Sequence, residues 1–357
     1  MTLIIAEAGV NHNGDEDLAF ALVDAAVVAG ADIVKFQTFN ASALATAEAQ
    51  QATYQQRNTG QAESQLEMLS RLELSHDAHL RLQAYSKQRG IGFLSTAFDD
   101  LSLHFLLGTL QLNLLKIPSG EITNAPFVLQ HARSQRDLIV STGMANLAEI
   151  EAALGVIAFG LTMPVDAKPT VPAFAQAYAS KQGQIALRQK VTLLHCTTEY
   201  PAPASDINLT AMDSMAAAFG LAVGYSDHSA GIAIAIAAAA RGATVLEKHF
   251  TLDKNLPGPD HKASLQPDEL TQMVTAIREV EQALGDGIKR PAPSELANKA
   301  VARKSLVANR AIRKGERLTA ELIACKRPGT GTSPYQYWDL LGTSASRDYR
   351  EGEPFAE

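Results

Sequence analysis

The chain has 357 residues, of which 46% are apolar and 19% are charged, and its formal net charge is −7. This length suits a barrel of about 250 residues with a small second domain, and the acidic balance argues against a nucleic-acid partner. The opening MTLIIAEAGVNHNG lacks the basic region of a signal peptide, and no apolar run is long enough for a membrane span. With two distant cysteines, Cys196 and Cys325, we expect a reduced, cytoplasmic protein without a membrane partner.

One pattern recurs eight times along the chain: a short apolar, β-rich run, a polar turn and, in most cases, a segment with helical periodicity. The predicted strands are residues 3–9, 32–38, 90–98, 114–121, 137–143, 191–200, 222–229 and 244–251. Helices are predicted at 75–90, 146–160 and 267–285, each between an N-terminal capping or Pro signal and a final glycine. Eight such units in series favour an α/β fold, a (β/α)8 TIM barrel, over an open doubly wound sheet.

Three segments depart from this repeat. Residues 40–75 form a long connection after the second strand, and residues 161–190 form a polar insertion that we expect at the surface. Prolines at 291 and 293 indicate a linker. The predicted domains are therefore a catalytic barrel at 1–285, a linker at 286–302 and a small domain of short strands at 303–357, for which we expect only a weak independent core.

Polar residues crowd the ends of the predicted strands, where the active site of a barrel enzyme lies. Burying them all without partners would be costly, so we expect a ligand-filled mouth. In chain order they are Glu7, Lys35, Gln37, Ser95, Thr96, Lys116, Ser119, Glu121, Ser141, Thr142, His195, Thr197, Thr198, Tyr200, Asp227, His228, Lys248 and His249.

Two histidines, His228 and His249, end neighbouring strands that lie about 4.8 Å apart. A lone histidine there is usually a hydrogen-bonded core residue, but a pair suits a divalent ion such as Mn²⁺ or Zn²⁺ better than Ca²⁺. Asp260, after a Pro-Gly-Pro sequence, could bind a metal-bound water or the substrate.

Two lysines, Lys35 and Lys116, lie within apolar runs. Such lysines either hold anions or form Schiff bases. The sequences Ser119-Gly120 and 141–143 supply hydroxyls and close backbone approach for a phosphate. Cys196 follows His195, but neighbours on a strand face opposite sides, so we do not expect a nucleophilic pair.

Motifs along nearly the whole chain resemble those of the sialic acid synthase family, in that family's order. They are IIAEAGVNHNGD, VKFQTF, FLSTAF, KIPSGEITN, STGMA, LLHCTTEYPAP, GYSDHSAGI and EKHFTLDKNLPGPDH. The C-terminal RKSLVANRAIRKGERLTAELIACKRPGTG resembles the family's antifreeze-like (SAF) domain, a small β-clip fold.

The resemblance implies an enzyme that condenses phosphoenolpyruvate with an N-acylated amino-sugar aldehyde and water, releasing phosphate by C–O cleavage. It implies a divalent metal, Mn²⁺ or Mg²⁺, on His228 and His249, and no organic cofactor. The implied catalytic residues are Glu7, Lys35, Lys116, Glu121 and Asp260. Phosphoenolpyruvate would contact Lys35, Thr96, Lys116, Ser119, Ser141, Thr198 and Ser226. The sugar would contact Gln37, Asn58, Tyr200 and, in a domain-swapped homodimer, Arg327 of the partner subunit.

Two departures from the N-acetylneuraminate-type pattern bear on the sugar: KFQTF replaces KHQTH, and CTTEYP replaces CTNIYP. The second form is similar to the legionaminate-type branch, which uses 2,4-diacetamido-2,4,6-trideoxymannose, and Phe36 and Phe39 suit a 6-deoxy sugar. Thr198 stands where an asparagine would bind phosphate. PGPDHKASL differs from the pseudaminate branch. The alternatives are an N-acetylneuraminate synthase that uses N-acetylmannosamine, a Schiff-base aldolase, and a non-catalytic carbohydrate-binding protein.

Overall fold

The structure is a computed structural model that describes residues 1–59 and 63–355. It contains two compact units, one from Met1 to Gly285 and one from Asp286 onward. Residues 286–302, predicted to be a linker, belong to the second unit and include a helix at Leu296–Ala302.

Eight parallel strands form the sheet of the first unit, in the order β3-β2-β1-β8-β7-β6-β5-β4. The two end strands, β3 and β4, also lie side by side, so the sheet curls round on itself. This arrangement confirms the predicted (β/α)8 barrel. The strands are β1 (Leu3–Gly9), β2 (Ile33–Thr38), β3 (Gly92–Ala97), β4 (Leu114–Ile117), β5 (Asp137–Ser141), β6 (Val191–Cys196), β7 (Ala222–Asp227) and β8 (Val245–His249).

Several predicted strands extended too far at their C-terminal ends. Pro118 stops β4, and Ser119–Glu121 forms a 3₁₀ turn. Similarly, β6 ends at Cys196 and residues 197–200 lie in a loop. The polar residues at these ends therefore lie on turns that follow the strands, and the hydrogen bonds of the sheet do not fix their backbone conformation.

Helices follow the strands, and the three that were predicted are confirmed. Ser75 caps α5 through the N–H of Ala78, and Asn146 caps α8 in the same manner. The helices are α1 (Glu16–Ala29), α2 (Ala41–Leu44), α3 (Thr53–Thr59), α4 (Gln65–Leu72), α5 (His76–Arg89), α6 (Asp100–Gly108), α7 (Ala125–Arg133), α8 (Leu147–Thr162), α9 (Val171–Ala179), α10 (Lys181–Lys190), α11 (Ala204–Ile207), α12 (Ala211–Phe219), α13 (Ala233–Ala240) and α14 (Pro267–Leu284).

The long connection and the insertion are both mainly helical. The connection after β2 forms α2, α3 and α4, and the insertion before β6 forms α9 and α10, with α9 packed on α8. Val171 in the insertion is 78% exposed, in keeping with the expected surface position. Within the described part of the chain, no helix is long and apolar enough to cross a membrane.

The second unit has its own small core. Helix α15 (Leu296–Ala302) precedes the antiparallel pair β9 (Ser305–Ala308) and β10 (Ile323–Lys326), and α16 (Tyr337–Leu340) follows. Leu306, Ile312, Leu318, Tyr349 and Phe355 are buried together.

Candidate active site

A cavity of about 340 Å³ lies among the C-terminal ends of the barrel strands and the loops that follow them. Its lining brings together most of the residues predicted from the sequence. These are Glu7, Lys35, Gln37, Thr96, Lys116, Ser119, Glu121, Ser141, Thr198, Tyr200, Ser226, His228, His249 and Asp260.

The centre of the cavity is a buried network of two lysines and two carboxylates. Lys116 Nζ donates to both carboxylate oxygens of Glu247, each at 2.9 Å. Lys35 Nζ lies 2.7 Å from Glu7 Oε2 and 3.5 Å from Glu247 Oε2, and it donates to Thr96 Oγ1 at 3.0 Å. The lysine charges are thus balanced within the protein before any anion binds.

Glu247 was absent from the sequence-based site, although it bridges both predicted lysines. It also accepts a hydrogen bond from Ser226 Oγ at 3.0 Å. The signal was available, because Glu247 is two residues before His249 on β8 and so shares its face of the strand.

Burial and charge act oppositely on these groups. Burial raises the pKa of Glu7 to about 7, because the Lys35 ammonium only partly offsets the loss of water. Burial alone would also raise the pKa of Glu247, but Lys116 and Lys35 together hold it well below its usual value. Burial likewise disfavours the charged form of Lys35, yet the two carboxylates outweigh it and raise its pKa. Lys35 is therefore an ammonium ion.

Hydroxyl groups from several turns converge beside Lys116. The N–H of Gly143 donates to Ser119 Oγ at 3.0 Å. A Cβ on Gly143 would lie 2.2 Å from Thr198 Oγ1 and 2.8 Å from Ser119 Oγ, so only glycine permits this approach. Thr198 Oγ1 is buried and, within the described residues, has no hydrogen-bond partner. An unpartnered hydroxyl facing a polar cavity is suited to a ligand oxygen.

The two predicted metal ligands are brought together. The ring centroids of His228 and His249 are 5.6 Å apart. His228 Nδ1 donates to the carbonyl of Thr197 at 2.7 Å, which leaves the Nε2 lone pair facing the cavity, 3.1 Å from Tyr200 Oη. Burial lowers the pKa of His228 to about 4, and burial also lowers that of His249 well below its usual value. Both rings are neutral, as metal ligands must be.

This donor set fits a divalent cation with open coordination positions. His249 Nδ1 is buried and lacks a hydrogen-bond partner among the described residues. Asp260 Oδ2 lies 3.9 Å from that nitrogen, and burial raises the pKa of Asp260 to about 6. In residues 1–59 and 63–355, no three His, Cys, Asp or Glu side chains form a complete metal cage. A cation here would need ligands from water or substrate, as in catalytic rather than structural sites.

Two predicted sugar ligands have other partners. Asn58 Nδ2 donates to the carbonyl of Pro259 at 2.7 Å, and so holds the loop that carries Asp260. Arg327 lies in the second unit, where its Nε donates to the carbonyl of Ala302 at 2.9 Å. Glu121 lines the cavity and accepts from Asn124 Nδ2 at 2.7 Å.

The expectation that every polar strand end faces the mouth was wrong, because successive residues on a strand point to opposite sides. Lys248 Nζ lies 2.9 Å from Asp227 Oδ2, and both side chains are fully buried behind the barrel wall. Three further side chains also bond away from the cavity: Ser95 to Thr38 Oγ1, Thr142 to the carbonyl of Leu194 and His195 to that of Ile207.

Phe36 and Cys196 complete the comparison. Phe36 was expected to contact the sugar, but it is fully buried and stacks on Phe93, with ring centroids 5.9 Å apart, outside the cavity lining. Phe39 does line the cavity. Cys196 Sγ lies 3.1 Å from Ser119 Oγ, and burial raises its pKa, which disfavours a nucleophilic thiolate.

Known proteins of similar sequence and structure share this architecture. A family model described as the NeuB family matches residues 22–289, and one described as the SAF domain matches residues 303–357. The N,N'-diacetyllegionaminic acid synthase of Campylobacter jejuni is 49% identical over 100% of this chain and 99% of its own length. The Legionella pneumophila synthase of that name is 44% identical over 98% of this chain and 92% of its own length. A crystal structure of N-acetylneuraminic acid synthetase from Leptospira borgpetersenii has a TM-score of 0.65 and 31% identity, covering 83% of this chain and 90% of that one.

Proposed function

We propose a function from one premise: this chain belongs to the NeuB family and ends in a SAF domain. It is an enzyme that condenses phosphoenolpyruvate with an N-acylated amino-sugar aldehyde and water to give a nonulosonic acid and phosphate. The observation that carries this proposal is that one cavity brings together two neutral histidines, a lysine–carboxylate network and a cluster of hydroxyls.

The sugar is 2,4-diacetamido-2,4,6-trideoxymannose, and the product is N,N'-diacetyllegionaminic acid. Two relatives named N,N'-diacetyllegionaminic acid synthase are 49% and 44% identical to this chain over almost its full length. N-acetylneuraminate synthesis from N-acetylmannosamine is less well supported, since the N-acetylneuraminic acid synthetase is 31% identical.

Phosphoenolpyruvate binds across the lysine network. Its phosphate lies among Lys116, Ser119, Ser141, Thr198 and Ser226, because charge-assisted and hydroxyl donors are what a phosphate requires. The Thr198 hydroxyl supports this position, since it lines the cavity and has no hydrogen-bond partner among the described residues. The carboxylate of phosphoenolpyruvate lies at Lys35 and Thr96, whose Nζ and Oγ1 atoms are already 3.0 Å apart.

His228 and His249 would hold a divalent metal, Mn²⁺ or Mg²⁺, which would supply a Lewis acid for the aldehyde oxygen. Tyr200 and Gln37 orient the open-chain sugar, and Glu121 bonds a hydroxyl at the mouth. Asp260, whose pKa is raised to about 6 by burial, provides a proton as the aldehyde oxygen becomes a hydroxyl. No organic cofactor is needed.

The carbon–carbon bond forms when the methylene carbon of phosphoenolpyruvate attacks the aldehyde carbon. Positive charge then develops on the enol carbon that bears the phosphate oxygen. The carboxylate form of Glu7, held by Lys35 at 2.7 Å and Gln37 at 3.3 Å, stabilises that charge. Water adds to this carbon and loses one proton, which replaces the proton given up by Asp260. The hydroxyl group so formed becomes the keto group as its proton passes to the phosphate and the bond between the carbon and the phosphate oxygen breaks.

The Schiff-base alternative is disfavoured by the state of Lys35. A Schiff base needs a neutral amine, but Lys35 lies between two carboxylates that raise its pKa. The aldolase hypothesis requires borohydride to trap substrate on Lys35 or Lys116, and activity to survive EDTA. Our proposal requires no trapping and loss of activity with EDTA.

A domain-swapped homodimer with Arg327 at the partner's acyl-sugar site is part of the proposal. A guanidinium can bond an acyl carbonyl with a fixed geometry that lysine cannot copy. The test mixes a His249→Ala chain with an Arg327→Ala chain, each nearly inactive alone. Mixed dimers contain one site with neither defect, so they regain about half of wild-type activity. No recovery, with exchange confirmed by mass, would refute a shared site.

Phosphate release tests the function directly. The metal-loaded protein is assayed with phosphoenolpyruvate and each of three sugars: the diacetamido-trideoxy sugar, N-acetylmannosamine and mannose as a control. We expect at least a 10-fold preference in kcat/KM for the first, equivalent to about 1.4 kcal/mol. A 10-fold preference for N-acetylmannosamine would identify a neuraminate synthase, and no release with any sugar would support the carbohydrate-binding alternative.

The free thiols of Cys196 and Cys325 accord with a cytoplasmic location.

A further inference from the structure

One side of the cavity is apolar, in contrast to the network of lysines, carboxylates and hydroxyls. This apolar wall is formed by Phe39, Leu44, Met68, Leu69, Leu72 and Phe98. Its members pack together as a hydrophobic cluster separate from the barrel core. Most come from the long connection after β2, in particular from α2 and α4.

We propose that the apolar wall binds the methyl end of the acceptor sugar, C6 of a 6-deoxy sugar, and selects against a 6-hydroxyl group. This inference rests on the proposed function and adds the residues that determine its specificity. Phosphoenolpyruvate does not require such a surface, since its carboxylate and its phosphate are both anionic. The cations that would bind these two groups are Lys35 and Lys116.

The position of the aldehyde supports this assignment. The aldehyde end of the acceptor lies at His228 and His249, next to the carbon that it must meet. The opposite end of the open chain must then extend into the rest of the cavity, whose lining includes the apolar wall.

The chemistry of the two possible end groups differs strongly on this surface. A methyl group gains by leaving water for apolar side chains. A hydroxyl group in the same place loses hydrogen bonds to water and meets no replacement from leucine, methionine or phenylalanine. The aromatic edge is firm, because Phe39 and Phe98 pack edge to face with ring centroids 6.3 Å apart.

Two positions on α4 provide a matched test. Leu69 lines the cavity, whereas Leu66, also half-buried and one turn earlier on the same helix, is not part of the lining in the described chain. Leu69→Gln places an amide on the wall, and Leu66→Gln makes the same chemical change beside it. Phe39→Tyr adds one hydroxyl to the wall at nearly constant shape, and guards against misfolding of the first variant.

The assay compares two sugars that differ by one oxygen: 2,4-diacetamido-2,4,6-trideoxymannose and its 6-hydroxy analogue. We expect the wild type to favour the deoxy sugar in kcat/KM by about 10–100-fold, the range that an apolar pocket gives against an added hydroxyl. Leu69→Gln and Phe39→Tyr should each reduce that ratio at least about 5-fold, with KM for phosphoenolpyruvate unchanged. Leu66→Gln should keep the wild-type ratio.

Other results overturn the inference. They are a wild-type ratio near one, unchanged ratios in both wall variants, or an equal change in Leu66→Gln. If the wild type releases no phosphate with either sugar, the proposed function fails separately. In that case, titration calorimetry with phosphoenolpyruvate present measures the affinities of the two sugars. A preference for the deoxy sugar that falls in both wall variants supports the role of the apolar wall, and equal affinities in the wild type refute it.

Discussion

Replacement of Glu247 by glutamine should destabilise the ligand-free protein. The side chain keeps its shape but loses the charge that balances Lys116 at 2.9 Å and, more weakly, Lys35 at 3.5 Å. Both lysines are only 3% exposed, so solvent cannot take over that role. Breaking a buried ion pair from one side costs about 3–5 kcal/mol. Because Lys35 retains Glu7, we expect the lower end of that range.

The size of the effect can be read as a thermal shift. With an unfolding entropy of about 2.1 cal/mol/K per residue, a loss of about 3 kcal/mol in the barrel unit, Met1 to Gly285, corresponds to a fall in Tm of about 5 °C. Asp137→Asn is the control, since it removes the charge facing Lys190 at 2.9 Å in an ion pair that is 58% exposed on the carboxylate side. Exposed pairs contribute between about 0 and 1 kcal/mol, so that variant should melt close to the wild type.

Phosphoenolpyruvate should reverse part of the loss. In Glu247→Gln the cavity carries one more positive charge, which a bound anion neutralises. The increase in Tm on adding saturating phosphoenolpyruvate should therefore be larger in the variant than in the wild type. A variant that melts like the wild type, and gains no more from the anion, would refute the view that Glu247 balances the two lysines. Activity should fall in either case.

Three further changes test other parts of the structure. His228→Ala should weaken Mn²⁺ binding at least about 10-fold, measured by electron paramagnetic resonance; unchanged affinity would remove the metal from this site. Lys248→Met leaves a fully buried Asp227 carboxylate without its cation and should lower the free energy of unfolding by about 3–5 kcal/mol in urea titrations. Adding Asp227→Asn to the same chain should restore at least half of that loss. A single variant that unfolds at the wild-type urea midpoint would contradict this. Burial lowers the pKa of His131 to about 4, below the usual value of about 6.5, so its contribution to stability is complete above pH 6.5 and is lost as the pH falls toward 4. His131→Phe should therefore lose about 2 kcal/mol less than the wild type between pH 7 and pH 5, and an equal loss would disprove this titration.

Much of the architecture follows from short-range properties of the chain. Caps such as Ser75 and final glycines such as Gly90 act within one helical turn, so they define helix ends without knowledge of the fold. The two-residue repeat of a strand places Lys35 with Gln37, and Glu247 with His249, on one face. Eight repeated units then leave few arrangements other than a barrel.

Which face is the inside, and which side chains meet across it, was decided only by the closed sheet. Glu247 meets Lys116 from a strand 131 residues away in sequence, and no local pattern predicts such a pair. The same closure turns Asp227 and Lys248 outward into a buried pair, and turns Phe36 away from a cavity that Phe39 lines. Long-range partners depend on how far each strand is shifted against the next, and that shift is a property of the whole barrel. The sequence by itself therefore determined the residue types of the site and the strands that carry them, whereas the exact strand ends, the pairing of the charged groups, the neutral histidines and the apolar wall depend on tertiary packing.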